Sequence, residues 1–155
     1  MSTLSVDTIQ GQTTAANVKL PAGAVLQVVE GSFSTQVDIA SSNYADTSLT
    51  VTITPKFASS KVFVITNLHM YINGVGLLGL NVVRGSTQIV EAQKAVGYAD
   101  NTTGVAAITK LDSPNTTSAT TYKVQVKYTA LGSGSTPRIN QQTGGSRITV
   151  MEIAG

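Results

Sequence analysis

The sequence predicts an all-β chain, a sandwich or a barrel, and three observations carry that expectation. Val, Ile and Thr are plentiful, and their branched Cβ atoms suit a pleated surface better than a helix. Short apolar runs recur along the chain with Gly, Pro, Asn, Asp and Ser between them, the spacing of an antiparallel all-β fold. No stretch sustains the apolar period of a helix, so almost no helix is expected.

Taken in order, residues 1–22 stand apart. Leu4, Val6, Ile9, Val18 and Leu20 are separated by small and polar residues, and Pro21 closes the stretch. So few apolar side chains do not offset about 1–2 kcal/mol of backbone ordering entropy per residue. The segment reads as an attachment arm that orders by adding a strand to a partner's sheet edge, and residues 23–155 read as the domain. Strands are expected near 24–31, 35–40, 48–54, 61–72, 77–84, 87–95, 105–112, 119–130 and 146–153. Asn73-Gly74 reads as a hairpin turn with positive φ at both residues. Arg84-Gly85-Ser86, residues 100–104 and Ser113-Pro114-Asn115 supply further turns. The Gly/Ser-rich stretch 131–145 reads as one long, mobile loop.

The strands are of two kinds. In one, Tyr122, Val124, Val126 and Tyr128 alternate with Lys123, Gln125 and Lys127, and Leu49, Val51 and Ile53 alternate with threonines. That is the pattern of a sheet with one wet face. In the other, Val62-Phe63-Val64-Ile65, Val25-Leu26 with Val28-Val29, and Ile148, Val150, Met151 and Ile153 are apolar on both faces. A second dry face of that size needs a cover: another copy of the chain is the simplest one, and a loop or the N-terminal arm over merely central strands is the alternative.

Composition bounds the function. At 155 residues the chain fits one domain that buries about 70% of its unfolded surface. It has no cysteine, which excludes disulfides and thiolate metal sites. Charged residues make up 12% of it, about half the usual ~25%. The pI is 9.0, but the net charge is only +2. Lys56 with Lys61 and Lys123 with Lys127 are the nearest basic pairs. No basic stripe offers itself to nucleic acid. The first residues lack the basic and apolar regions of a signal peptide, and no apolar run approaches the roughly 20 residues of a membrane helix. The expectation is a chain made in a cytoplasm and carried, if at all, in an assembly, with no membrane insertion.

Catalytic motifs are weak. Gly74-Val75-Gly76-Leu77-Leu78-Gly79 matches the dinucleotide fingerprint, but β-like sequence follows where the pyrophosphate would need a helix N-terminus. The glycines read as hairpin residues. The eight acids are well separated in sequence, and no GxSxG elbow occurs. His69, the single histidine, reads as a packed strand residue with no nameable catalytic partner. Asn101-Thr102-Thr103 and Asn115-Thr116-Thr117 fit the glycosylation sequon by chance in a Thr-rich chain. Neither a cofactor nor an enzymatic activity is expected. Sugar binding leans on aromatic rings, and here only Tyr44, Tyr71 and Tyr98 fall near expected loops.

Several segments carry a resemblance. Ser2-Thr3-Leu4-Ser5-Val6-Asp7-Thr8-Ile9-Gln10, Asn17-Val18-Lys19-Leu20-Pro21-Ala22-Gly23 and Ser146-Arg147-Ile148-Thr149-Val150-Met151-Glu152-Ile153-Ala154 resemble the first and last segments of small virion structural and tail-fibre proteins of tailed bacteriophages, especially those of aquatic and cyanobacterial hosts. Ile53-Thr54-Pro55, Ser59-Ser60-Lys61-Val62 and Asn81-Val82-Val83-Arg84-Gly85-Ser86-Thr87 resemble that group's middle strands. Such proteins are similar in layout to the tumour-necrosis-factor-like jelly roll, a sandwich of two antiparallel sheets whose inner sheet forms a three-fold interface. The resemblance implies a homotrimeric tail-fibre or short-fibre component, docked on another virion protein through Leu4, Val6, Ile9, Val18 and Leu20. It places the three two-faced strands in the inner sheet, with Phe63, Ile65, Met151 and Ile153 at the trimer interface and Phe63 as the only bulky aromatic for an axis. Host-surface contact with a glycan or protein would fall to the loops holding Tyr44, Tyr98 and Asn101. His69 shares a face with Phe63 and Ile65 and would converge with its copies on the axis, where a metal could bind. Capsid decoration and a free sugar-binding module are the alternatives to a fibre.

Overall fold

The computed structural model describes residues 20–98, 102–141 and 145–155. Ten strands form in chain order, and no helix occurs among the described residues: β1 (Val25–Phe33), β2 (Val37–Asp38), β3 (Ala45–Ile53), β4 (Lys61–Asn73), β5 (Gly76–Arg84), β6 (Thr87–Tyr98), β7 (Thr102–Asp112), β8 (Thr120–Leu131), β9 (Thr136–Ile139) and β10 (Ser146–Ile153). The pairing is nested. β5 pairs β6, β4 pairs β7, β3 pairs β8 and β1 pairs β10, all antiparallel. A ribbon folded in this way around its central hairpin is a jelly roll. It yields a six-stranded sheet, β1-β10-β4 with β9 and β2 continuing the order and β7 on the other edge of β4, and a four-stranded sheet, β3-β8-β5-β6.

The core lies between the sheets, and strand alternation decides what enters it. From the four-stranded sheet come Leu49, Val51 and Ile53, then Tyr122, Val124 and Val126, then Leu78, Leu80 and Val82. Opposite them stand Val62, Val64, Leu68 and Met70 of β4, with Ile148 and Val150 of β10. Each such side chain contributes about 1.5–3 kcal/mol by leaving water. At Gly31 a Cβ would run into the backbone carbonyl of Thr50 and crowd Ile148. A side chain there would push β1 away from β3.

Two expectations about the connections change. Asn73-Gly74 does not close a hairpin, because β4 and β5 lie in different sheets. The turn carries the chain across the sandwich, and only Gly74 has positive φ (93°). The tight hairpin is instead at Gly85-Ser86, between the paired residues Arg84 and Thr87. Gly85 supplies the positive φ there (61°), as a turn with glycine at its first central position requires.

The stretch read as a mobile loop contains β9. Its Pro137, Ile139 and the following Asn140 are buried. Asn140, at φ 53°, donates to the carbonyls of Phe33 (3.0 Å) and Thr35 (3.1 Å) and accepts from the Ser146 hydroxyl (2.6 Å). One amide therefore ties β9 to the end of β1 and the start of β10. Four residues with a proline among them show too little alternation to read as a strand.

Candidate functional site

The two-faced strands of the sequence, β1, β4 and β10, are consecutive in one sheet. Because Val62, Val64, Leu68 and Met70 point into the core, Phe63, Ile65, Asn67, His69 and Tyr71 point away from it. Register then builds a row across the outer face. Val28 lies opposite Met151, Met151 opposite Phe63, and Phe63 opposite Leu111. Four apolar side chains thus stand side by side over about 15 Å. Val28 is 55% exposed and Leu111 47%. Ile153 flanks the row on β10, and Ile65 lies in the next row on β4. Phe63, Ile65, Met151 and Ile153, the expected trimer-interface residues, lie on one face of the sheet. Val28 and Leu111 join them.

The face changes character along the strands. The row through Ile65 holds Glu30, Thr149 and Thr109, and the one beyond it Ser32, Arg147, Asn67 and Ala107. His69 lies on the same face as Phe63, about 20 Å along β4, opposite exposed Val105. Its Nδ1 is buried without a hydrogen-bond partner. Tyr71 also shares this face, so Phe63 is not its only aromatic. Among the described residues, no three His, Cys, Asp or Glu side chains of one chain gather into a metal site.

The outer face of the four-stranded sheet is polar along its central row, with Val83 beside it. Asp46 lies opposite Gln125, Gln125 opposite Asn81, and Asn81 opposite Glu91. The Asp46 carboxylate accepts from Lys123 Nζ at 3.0 Å and Gln125 Nε2 at 2.8 Å. Those two hydrogen bonds hold its pKa below the usual carboxylate range. Gln125 Oε1 in turn accepts from Asn81 Nδ2 at 3.0 Å. At the far end the Tyr44 hydroxyl donates to Glu91 at 2.9 Å, and Lys127 Nζ sits 4.2 Å from the Tyr44 ring centre. Burial and the Glu91 hydrogen bond push the phenol far above its ordinary pKa; the same bond, first among several, lowers Glu91. Gly79, the last glycine of the fingerprint-like motif, leaves room here, since a Cβ would lie 3.0 Å from the Tyr44 hydroxyl. The strand β5 follows where that motif needs a helix.

A carboxylate the sequence reading passed over is buried at the sandwich edge. Glu152 follows Ile148 and Val150 on the core face of β10 and is fully buried. It accepts from Gln27 Nε2 (2.6 Å) and from the backbone N–H of Lys56 (2.7 Å) and Phe57 (3.4 Å). Burial pushes its pKa up, but the nearby Ser60 hydroxyl and hydrogen bonds from Gln27 and the two backbone donors outweigh it, and the carboxyl sits below its usual range. Glu152 thereby clamps the β3–β4 connection. The parity with Ile148 and Val150 was the signal for it.

Every described acid is held in a structural pairing. Glu30 pairs with Arg147 and Asp38 with Arg138. Asp112 takes Arg84 and the buried Tyr122 hydroxyl, each at 2.8 Å. Of the other candidates, Leu20 is 41% exposed, and Tyr44 directly precedes β3 and lines the polar face. Leu4, Val6, Ile9, Val18 and Asn101 lie outside the described residues, as does the side chain of Tyr98.

No protein-family model and no curated protein matches the chain. Among solved structures, a chain in the structure of infectious bursal disease virus Gx strain superposes with a TM-score of 0.56 at 12% identity, covering 98% of this chain and 37% of that one. The likeness is one of fold, and this chain spans little more than a third of that neighbour. The insecticidal delta-endotoxin Cry8Ea1 of Bacillus thuringiensis gives 0.34 at 16% identity over 79% of this chain and 19% of that one, too low a score to carry an argument.

Proposed function

We propose that the chain is a structural component of a virion, a tail-fibre or short-fibre subunit that assembles as a homotrimer through the outer face of its six-stranded sheet. The observation that carries this reading is the row Val28, Met151, Phe63 and Leu111. Its strands already bury their other face in the core, so among the described residues the row lies outside that packing. Burying each such side chain against another copy is worth about 1.5–3 kcal/mol, repeated three times. Further support comes from the jelly-roll fold, which a solved virus structure also contains, and from the sequence resemblance to phage fibre proteins. In this reading the arm, residues 1–22, docks on a neighbouring virion protein. The chain leaves the domain beside its C-terminus, where Gly23 N donates to the Ala154 carbonyl at 2.8 Å.

Particles of the encoding virus, labelled with antibody to the domain and imaged, test the assignment. Label at the tail or its fibres is the expected result. Label spread over the shell would make the chain a capsid decoration protein instead. Particles that carry none of it would end the virion reading. Deleting residues 1–22 should leave the melting temperature unchanged and abolish incorporation.

A further inference from the structure

The polar face of the four-stranded sheet holds a groove of about 470 Å³ lined by Tyr44, Asp46, Asn81, Gln88, Lys123 and Gln125, within the size range of ligand sites. Its floor has a direction. A carboxylate only accepts hydrogen bonds, so Gln125 turns its NH₂ toward Asp46. That leaves Gln125 Oε1 to accept from Asn81 Nδ2, and Asn81 Oδ1 is the atom left over. Asn81 is only 3% exposed, and its Oδ1 has no hydrogen-bond partner. A buried acceptor with no partner costs stability and calls for an explanation. The strand beside it is irregular as well. β3 bulges between Asp46 and Thr50, with Ser48 at φ 67°. Bulges of this kind recur next to functional sites, where they re-aim a side chain.

We infer that this groove is a saccharide-binding site, in which a sugar hydroxyl donates to Asn81 Oδ1 while neighbouring hydroxyls meet Asp46, Lys123 and Gln88. The charges select the ligand class. Of the lining side chains, Asp46 disfavours an anion and Lys123 disfavours a cation, so a neutral ligand fits best. It must also donate and accept at adjacent positions, as hydroxyls do. The site would supply the host-surface contact of the fibre reading and rests on that reading for its biological setting, but binding itself does not depend on assembly.

The test is an array of bacterial and mammalian oligosaccharides probed with the full-length protein, followed by titration of the best ligand in ¹⁵N–¹H spectra. Saccharide binding with shifts centred on Asn81, Gln125 and Lys123 is expected. Asp46→Asn gives a specific check. An amide at 46 can donate to Gln125 Oε1, which lets both amides turn and presents Asn81 Nδ2 where Oδ1 was. Affinity should fall about tenfold or more, as loss of a buried hydrogen bond implies, with the melting temperature little changed. Asn81→Leu should abolish binding; should it fail to fold, the exposed Asp46→Asn decides. Wild-type protein that retains no saccharide, shifts centred elsewhere, or Asp46→Asn binding as tightly as wild type would each overturn the inference. A monomer that binds saccharide would keep it and remove the trimer; a trimer that binds none would do the reverse.

Discussion

The two outer faces of the sandwich are built on similar strands and end in opposite chemistry. On the six-stranded sheet, the Phe63 row is apolar from edge to edge, and its alternating neighbours Val62, Val64, Ile148 and Val150 are apolar as well. On the four-stranded sheet, Asp46, Gln125, Asn81 and Glu91 fill the corresponding position behind an equally apolar inner face. An inner face tells only where the core lies. The outer face carries the chemistry that a contact must match, polar on one side and apolar on the other, where the proposed assembly would supply a dry partner.

The largest effect should come from charge placed at the centre of the apolar row. Phe63→Asp is expected to dissociate the assembly, with the mass in light scattering falling to that of one chain or the protein failing to fold. The matched change on the other face, Thr52→Asp on exposed β3, should leave the mass unaltered and shift stability by less than about 0.5 kcal/mol. An equal effect of both would erase the distinction between the faces.

A smaller effect should appear at Glu152, which holds the connection between the sheets. Its pKa is lowered in the folded state, so its contribution is present above the ordinary carboxylate range and lost as pH falls through the depressed value. Asp46 and Glu91 are shifted in the same direction. The melting temperature should therefore hold down to about pH 5 and drop below about pH 4. Glu152→Gln should cost about 2 kcal/mol at neutral pH and flatten that acid-side fall, measured by thermal unfolding across a pH series. A fall as steep as in wild type would show that other carboxylates govern it.

Alternation made most of the fold legible. The periods of Tyr122–Tyr128 and Leu49–Ile53, and the two-faced runs at Val62–Ile65 and Ile148–Ile153, point to the correct faces because every second residue must. What alternation does not encode is which strands adjoin. Val28 and Leu111 therefore joined the apolar row only through register, and Asn81 met Gln125 and Asp46 only across three strands. Asn73-Gly74 misled because an Asn-Gly pair serves a crossover as well as a hairpin. β9 escaped because four residues with a proline show too little alternation, and its hold, by pairing with β4 and through the Asn140 side chain, is long-range. Glu152 was visible in principle, as a carboxylate in phase with Ile148 and Val150.

The mass of the wild-type protein in size-exclusion chromatography with light scattering, at micromolar concentration and neutral pH, tests most directly the claim that the Phe63 row is covered by other copies of the chain. A homotrimer of about 48 kDa, three times the 16.0 kDa chain, is the expected result. A stable monomer of 16.0 kDa would contradict it.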